Sequence, residues 1–117
     1  MKLNSIFERA VRLCGMNEKF VGNNDSTELR RRALAAINTV LFDLCGETEH
    51  DSLSDEVNIS DLAFDAAIYG TAMYLTLAFG DTDYSNFFSK IYSGKRAAFK
   101  SSLKRVADIL PKTGANL

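Results

Sequence analysis

The sequence predicts an all-α fold, a small bundle of about four helices with a central apolar helix and an acidic loop between helices. Three observations predict it. Apolar side chains recur every three to four residues along most of the chain, as they do on one face of an α-helix. Helix-capping residues and glycines separate these stretches. The run from 66 to 80 contains no charged residue, which is typical of a helix packed on most of its sides.

The chain has the size and composition of one globular domain. Its 117 residues, 46% of them hydrophobic, are enough to build a core without disulfides or metals. Two cysteines, Cys14 and Cys45, are too few for a disulfide framework, and burial of both thiols is expected. The first residues contain no apolar run of signal-peptide length. We therefore predict a single reduced, intracellular domain over residues 1–117, with a disordered tail at 111–117.

The first predicted helix is short and amphipathic. Asn4 or Ser5 is the expected N-cap, and apolar residues then follow on one broad stripe from 6 to 14. Glu8, Arg9 and Arg12 fall on the other side of the helix. Gly15 is the expected stop, and residues 16–24 favour a turn.

The second predicted helix begins with a capping box, in which Asp25 is the N-cap and Glu28 the reciprocal acceptor. Gly46 ends it. Its first turns carry three consecutive arginines, Arg30, Arg31 and Arg32. Cations are unfavourable at this end of a helix dipole, so a partner carboxylate is one explanation for them. Chance on a solvated face is the other.

The third predicted helix contains the uncharged run, and the fourth follows it. Ser60 or Asp61 caps the third, and Gly70 in its middle predicts close approach by a neighbouring helix. The segment 80–83 breaks the pattern and caps the fourth, which Pro111 ends. Its apolar positions share one arc: Phe88, Ile91, Tyr92, Ala98, Phe99, Leu103, Val106 and Leu110. Beside them runs a basic stripe, Arg96, Lys100 and Lys104.

Acidic side chains are concentrated before and at the start of the third helix. Residues 47–65 contain seven acidic residues and no basic one: Glu47, Glu49, Asp51, Asp55, Glu56, Asp61 and Asp65. The flanking parts carry balances of +2 (seven basic, five acidic) and +4 (seven basic, three acidic). Residues 47–60 form the predicted acidic loop, with a short extended piece at 56–59, and mutual repulsion should make it mobile. Such polarity suits head-to-tail assembly, although a merely solvated loop explains it equally well.

The residues that carry chemistry do not converge on a catalytic site in the sequence. His50, the one histidine, fits no metal motif, and the scattered glycines form no nucleotide-binding pattern. We therefore predict that the chain is not an enzyme and takes no cofactor. The pI of about 5.8 argues against a free-standing DNA-binding domain, although Arg30–Arg32 or the basic stripe is able to contact phosphates.

Residues 55–99 resemble the central part of the head–tail connector (adaptor, or head-completion) proteins of long-tailed phages and prophages. The resemblance is carried by Ser54-Asp55-Glu56-Val57 before an apolar helix with Tyr69-Gly70, a break at Gly80-Asp81, and an aromatic helix with Phe87, Phe88, Tyr92 and Lys95-Arg96. A proline often found before the apolar helix in that family is absent here, and Asn58-Ile-Ser60 stands in its place.

The resemblance implies a structural virion protein that forms a ring between portal and tail and extends the DNA channel. The expected partners are the portal protein, tail-side connector proteins, further copies of the chain in a portal-matched ring (a dodecamer) and, without sequence specificity, packaged DNA. No membrane association is expected. The protein would occupy the host cytoplasm during assembly and then the head–tail junction. The alternative is a small helical DNA-associated or regulatory protein that acts as a monomer or dimer.

Particular side chains are predicted to make these assembly contacts. On the acidic side they are Glu47, Glu49, Asp51, Asp55 and Glu56. The expected complement is Arg30, Arg31 and Arg32, or Arg96, Lys100 and Lys104, of a neighbouring subunit, or else a basic portal surface.

Overall fold

Four α-helices account for most of the described chain. The computed structural model describes residues 1–15, 25–46 and 49–109, with only the backbone described at 25–26 and 106–109. The helices are α1 (Leu3–Cys14), α2 (Asp25–Cys45), α3 (Asp61–Ala78) and α4 (Thr82–Ile109). Within these ranges the only β pairing is one antiparallel bridge between Lys2 and Glu56. The all-α prediction is confirmed. The expectations for the turn at 16–24, the Asp25 cap, Glu47, the side chain of Val106, Leu110 and the tail lie outside the described residues.

The central helix of the bundle is α3, which packs against each of the other three helices. It begins as predicted, because the Ser60 hydroxyl accepts a hydrogen bond from the N–H of Ala63 at 3.2 Å. Nine of its residues are buried: Ala63, Ala66, Ala67, Ile68, Gly70, Thr71, Ala72, Leu75 and Thr76. Burial of small and apolar residues on most sides of the helix explains why this part of the sequence carries no charge.

Gly70 lies where α2, α3 and α4 come closest. A Cβ atom at this position would lie 2.8 Å from Cε1 of Tyr92 and 2.9 Å from Cγ1 of Val40. Carbon atoms do not approach this closely without displacing their neighbours, so no side chain fits here. The predicted close approach is confirmed.

The start of α1 corrects one prediction. Neither Asn4 nor Ser5 caps the helix, which begins at Leu3 without a side-chain cap. The N–H of Leu3 donates instead to the carbonyl oxygen of Asp55 at 3.0 Å, and the N–H of Asn4 donates to that of Leu53 at 2.8 Å. The first donors of the helix are therefore satisfied by a segment about fifty residues away, which removes the need for a local cap.

The other helix ends follow the sequence. Gly15 and Gly46 end α1 and α2 in the left-handed conformation, with φ of 64° and 66°. Asp81 precedes α4 and its carboxylate accepts a hydrogen bond from the N–H of Tyr84 at 3.2 Å. The Gly80-Asp81 break thus turns the chain between α3 and α4, which make the most extensive contact in the fold.

Candidate functional site

The described part of the acidic loop, residues 49–60, is fixed to the helical body. The Asn38 side chain holds the backbone of His50 from both sides: its Nδ2 donates to the carbonyl oxygen (2.9 Å) and its Oδ1 accepts from the N–H (2.8 Å). Val57 is 4% exposed, and its N–H donates to the carbonyl oxygen of Met1 at 2.7 Å. The prediction of a mobile loop is wrong for these residues, because backbone hydrogen bonds and a buried valine anchor them.

This anchoring leaves the acidic side chains on the surface. Glu49, Asp51 and Glu56 are exposed, and Asp61 is exposed at the start of α3. Asp55 is half-buried, lies 3.4 Å from Nδ1 of His50 and accepts a hydrogen bond from the backbone N–H of Asp51. Within the described ranges no lysine or arginine forms an ion pair with these carboxylates. The acidic loop is therefore a fixed surface of negative charge.

The arginines of α2 find their carboxylate within the same helix. Nε of Arg31 and Nε of Arg32 donate to Glu28 at 3.0 and 2.8 Å. These hydrogen bonds, that of Arg31 first, lower the pKa of Glu28 to about 2. The guanidinium of Arg30 lies over the ring of Phe7 at 5.0 Å. The triplet is therefore engaged within its own subunit, by the Glu28 carboxylate and by the ring of Phe7.

Two residues of the basic stripe on α4 hold the C-terminal end of α2. Nε of Arg96 donates to the Asp43 carboxylate at 2.8 Å. Nζ of Lys100 donates to the backbone carbonyls of Asp43 and Leu44 at 3.0 and 2.9 Å. A cation at the carbonyl end of a helix is favoured by the helix dipole. Lys104, the third member of the stripe, is exposed one turn further along.

Tyr92 completes this contact, which we call the α2–α4 seam (Asp43, Leu44, Tyr92, Arg96 and Lys100). Its hydroxyl donates to the Asp43 carboxylate at 2.6 Å. Hydrogen bonds from Arg96 and then Tyr92 lower the pKa of Asp43. Burial, followed by the hydrogen bond to Asp43, raises the pKa of Tyr92. The seam therefore keeps Asp43 charged and Tyr92 neutral.

Sequence reasoning missed a groove between α1 and α3. It has a volume of about 320 Å³. Its lining residues are Arg9, Arg12, Leu13, Asp65, Ile68 and Tyr69. We call it the α1–α3 groove. The only sequence signal was the pair of arginines three residues apart on the polar side of the first helix, and this pattern alone is typical of any solvated helix face.

The α1–α3 groove carries positive charge that the fold leaves unpaired. The guanidinium of Arg9 lies 5.3 Å from the ring centroid of Phe64. Neither Arg9 nor Arg12 forms an ion pair with any described residue. Nζ of Lys95 binds the Asp65 carboxylate at the edge of the groove, which raises the pKa of Lys95. The one carboxylate in the described lining is thus paired with Lys95, while the two arginines have no described carboxylate partner.

Aromatic side chains of the described residues are exposed in two other regions. Tyr84 and Phe87 on α4 are 59% and 56% exposed and pack their rings against Phe88, which is buried. We call these two residues the aromatic surface. Phe42, near the end of α2, is 69% exposed. Aromatic groups at the surface are costly to leave in water and are enriched where proteins meet.

The two cysteines differ in a way the sequence did not predict. Cys14 is half-buried, its Sγ donates to the carbonyl oxygen of Ala72 at 3.7 Å, and burial raises its thiol pKa to about 12. Cys45 is exposed, so the prediction that both are buried is wrong. The physical reason is its place in the last turn of α2, where Leu44 takes the inward-facing position.

The described residues contain no group of three or more His, Cys, Asp or Glu side chains arranged to hold a metal ion. In the same part of the chain no helix combines the length and the apolar character needed to cross a membrane. Comparisons with models of protein families, with curated proteins and with solved structures found no match to this chain.

Proposed function

We propose that the chain is a structural subunit of a phage or prophage head–tail junction. In this role, copies of the chain form a ring under the portal, extend the DNA channel and present a platform to the tail. The proposal includes the virion as the final location and the portal, tail-side proteins and further copies of the chain as partners. It assigns no catalytic step to any residue.

The observation that carries the proposal is the unit formed by residues 55–99, which also carry the sequence resemblance. Residues 55–60 lie against the start of α1, α3 is the packed centre, and Gly80-Asp81 turns the chain into α4. The same unit presents the aromatic surface to solvent. A rigid body with exposed aromatic side chains suits docking onto a preformed ring, since little ordering is needed when it binds.

The proposal is tested with the portal protein encoded closest to this chain. Purified portal rings are mixed with the chain, sedimented and viewed by electron microscopy. We expect the chain to sediment with the rings and to add a layer of density at one end of them. Absence of co-sedimentation at low and at high salt would overturn the proposal.

A double variant gives the experiment a structural readout. Tyr84→Ser with Phe87→Ser removes the aromatic surface, and because both side chains are exposed the fold should survive. We expect this variant to bind portal rings at least about tenfold more weakly, as expected when aromatic contacts at an interface are truncated. Leu103→Ser is the matched control, because Leu103 is 49% exposed and lies four turns further along α4. If Leu103→Ser weakened binding to portal rings as much as the double variant does, the aromatic surface would have no specific part in docking.

A further inference from the structure

The charged residues of this protein divide into those that the fold uses and those that it leaves available. Arg31, Arg32, Lys95 and Arg96 each pair with a carboxylate of their own chain. Arg9 and Arg12 do not pair with any described carboxylate, yet they line the same groove. On the acidic side, Glu49, Asp51 and Glu56 are likewise exposed and form no described ion pair with lysine or arginine. Among the described residues, Arg9 and Arg12 thus form a basic surface without an ion pair, and Glu49, Asp51 and Glu56 form an acidic surface without a lysine or arginine partner.

The α1–α3 groove is built to receive carboxylates. The ring of Phe64 restrains the guanidinium of Arg9, which reduces the side-chain entropy lost on binding. A guanidinium presents its N–H donors in a planar fork that matches a carboxylate. Leu13, which is 40% exposed, and the buried Ile68 add apolar lining next to these charges. Charged and apolar contacts are thus available to one extended segment.

We infer that the α1–α3 groove binds the acidic loop of a second copy of this chain. The acidic loop offers exposed carboxylates on a backbone that is neither helix nor strand, and its anchoring by Asn38 and Val57 fixes them in place before binding. The inference rests on the proposed function for one point, namely that this contact joins neighbouring copies in the proposed ring. It replaces the basic partners that the sequence predicted, since the fold already uses Arg96 and Lys100.

In a ring the contact is heterologous: the groove of one copy meets the acidic loop of the next, and none of the described residues that line the groove belongs to that loop. A heterologous contact joins each copy to the next in the same direction, and it produces either a closed ring or an open chain. Duplex DNA is the other polyanion with suitable chemistry. The same molecule carries a fixed acidic surface and has a pI of about 5.8, which disfavours DNA as the occupant.

The experiment is a charge swap followed by sedimentation velocity over a concentration series at low salt. Arg9→Glu with Arg12→Glu reverses the groove, and Glu49→Lys with Asp51→Lys and Glu56→Lys reverses the loop. We expect each variant alone to self-associate at least about tenfold more weakly than the parent, because charge reversal replaces attraction with repulsion. A mixture of the two variants should recover association to within about threefold of the parent.

Matched controls keep the result interpretable. Lys90→Glu with Lys104→Glu reverses two exposed charges of α4 outside the groove and should leave association within about twofold of the parent. Arg9→Gln with Arg12→Gln removes the charge without reversing it and should give an intermediate loss. Thermal melts verify that every variant is folded.

Three outcomes overturn the inference. The first is a parent chain that stays monomeric over the whole concentration series. The portal experiment then tests the proposed function separately. The second is a mixture of the two charge-swapped variants that fails to associate although both variants are folded. The third is an Arg9→Glu, Arg12→Glu variant that loses DNA binding and keeps its self-association. This result assigns the groove to DNA instead.

Discussion

The α2–α4 seam and the α1–α3 groove both contain basic side chains, but these side chains serve different purposes. In the seam, Arg96 and Lys100 bind a carboxylate and the last carbonyls of α2, and so hold two helices together. In the groove, Arg9 and Arg12 lie at a similar helical spacing and have no described carboxylate partner. A basic stripe on a helix therefore stabilises the fold only where acceptors lie within its reach, on another element as for Arg96 and Lys100 or on the same helix as for Arg31 and Arg32. Where none is supplied, the same stripe is available to a second molecule.

Thiol reactivity should give the largest contrast between packed and open positions. Cys14 lies against α3 with its pKa raised to about 12, whereas Cys45 is exposed at the end of α2. Because the thiolate is the reactive form and the packed Cys14 thiol has a raised pKa, we expect the exposed Cys45 to react with Ellman's reagent at least about tenfold faster at mildly alkaline pH. In the Cys45→Ser variant only the Cys14 thiol remains, so its reaction identifies the slow phase of the parent protein. Two thiols that react at one rate in the native protein would contradict the packing of α1 on α3.

Gly70→Leu should produce the largest loss of stability and would separate α4 from α2. The Cβ alone would lie within 3 Å of Tyr92 and Val40, so the neighbouring helices must move apart. We expect a loss of about 1–3 kcal/mol in the free energy of unfolding, measured by denaturant titration.

Gly94 is the matched control for Gly70, because it lies within α4 with nothing within 4 Å of its Cβ position. Gly94→Ala should stabilise the protein by about 0.5–1 kcal/mol, since alanine is the better helix former and meets no neighbour. Substitutions at the two glycines should therefore change stability in opposite directions. Tolerance of Gly70→Leu would remove the close contact between the three helices from the account.

Tyr92→Phe should weaken the α2–α4 seam by a smaller amount. Tyr92 is 7% exposed, and its hydroxyl makes one hydrogen bond, to Asp43. We expect a loss of about 1 kcal/mol, which is typical of a single hydrogen bond in a folded protein. An unchanged denaturant midpoint would show that the hydrogen bond between Tyr92 and Asp43 adds nothing to stability.

The seam also predicts a pH dependence. Hydrogen bonds from Arg96 and Tyr92 lower the pKa of Asp43 in the folded state, so this carboxylate stabilises the fold at any pH above its unfolded pKa of about 4. As the pH falls below about 4 the contribution is lost. The stability difference between the parent and Asp43→Asn should therefore narrow in that range. A difference that stays constant down to strongly acid pH would contradict the assignment.

Thr71→Val should give the smallest change, and its sign is opposite to that of Tyr92→Phe. Oγ1 of Thr71 is buried and has no hydrogen-bond partner among the described residues, so its removal should stabilise the fold by up to about 1 kcal/mol. Thr76 is the control on the same helix, because its hydroxyl donates to the carbonyl of Ala72 at 2.8 Å. Thr76→Val should destabilise by about 1 kcal/mol. Equal changes in the free energy of unfolding for Thr71→Val and Thr76→Val would contradict this difference in hydrogen bonding.

Local features of the fold could be predicted from the sequence, and long-range ones could not. The start of α3 at Ser60, the ends at Gly15 and Gly46 and the role of Gly70 depend on nearby residues or on a composition visible in the chain. The start of α1 depends on carbonyls of residues 53 and 55, which only the folded chain brings close. The same holds for Arg96, whose partner Asp43 lies 53 residues away, and for the α1–α3 groove, which two separate helices create.

Two matched variants, measured for association by sedimentation velocity at low salt and for stability by thermal melting, test the central claim most directly. Arg9→Gln with Arg12→Gln removes two charges from the groove, and Arg96→Gln with Lys100→Gln removes two from the seam. We expect the groove variant to associate at least about threefold more weakly than the parent at an unchanged melting temperature. For the seam variant we expect a lower melting temperature and, where that variant is folded, association like that of the parent. A seam variant that loses association while the groove variant keeps it would contradict the account.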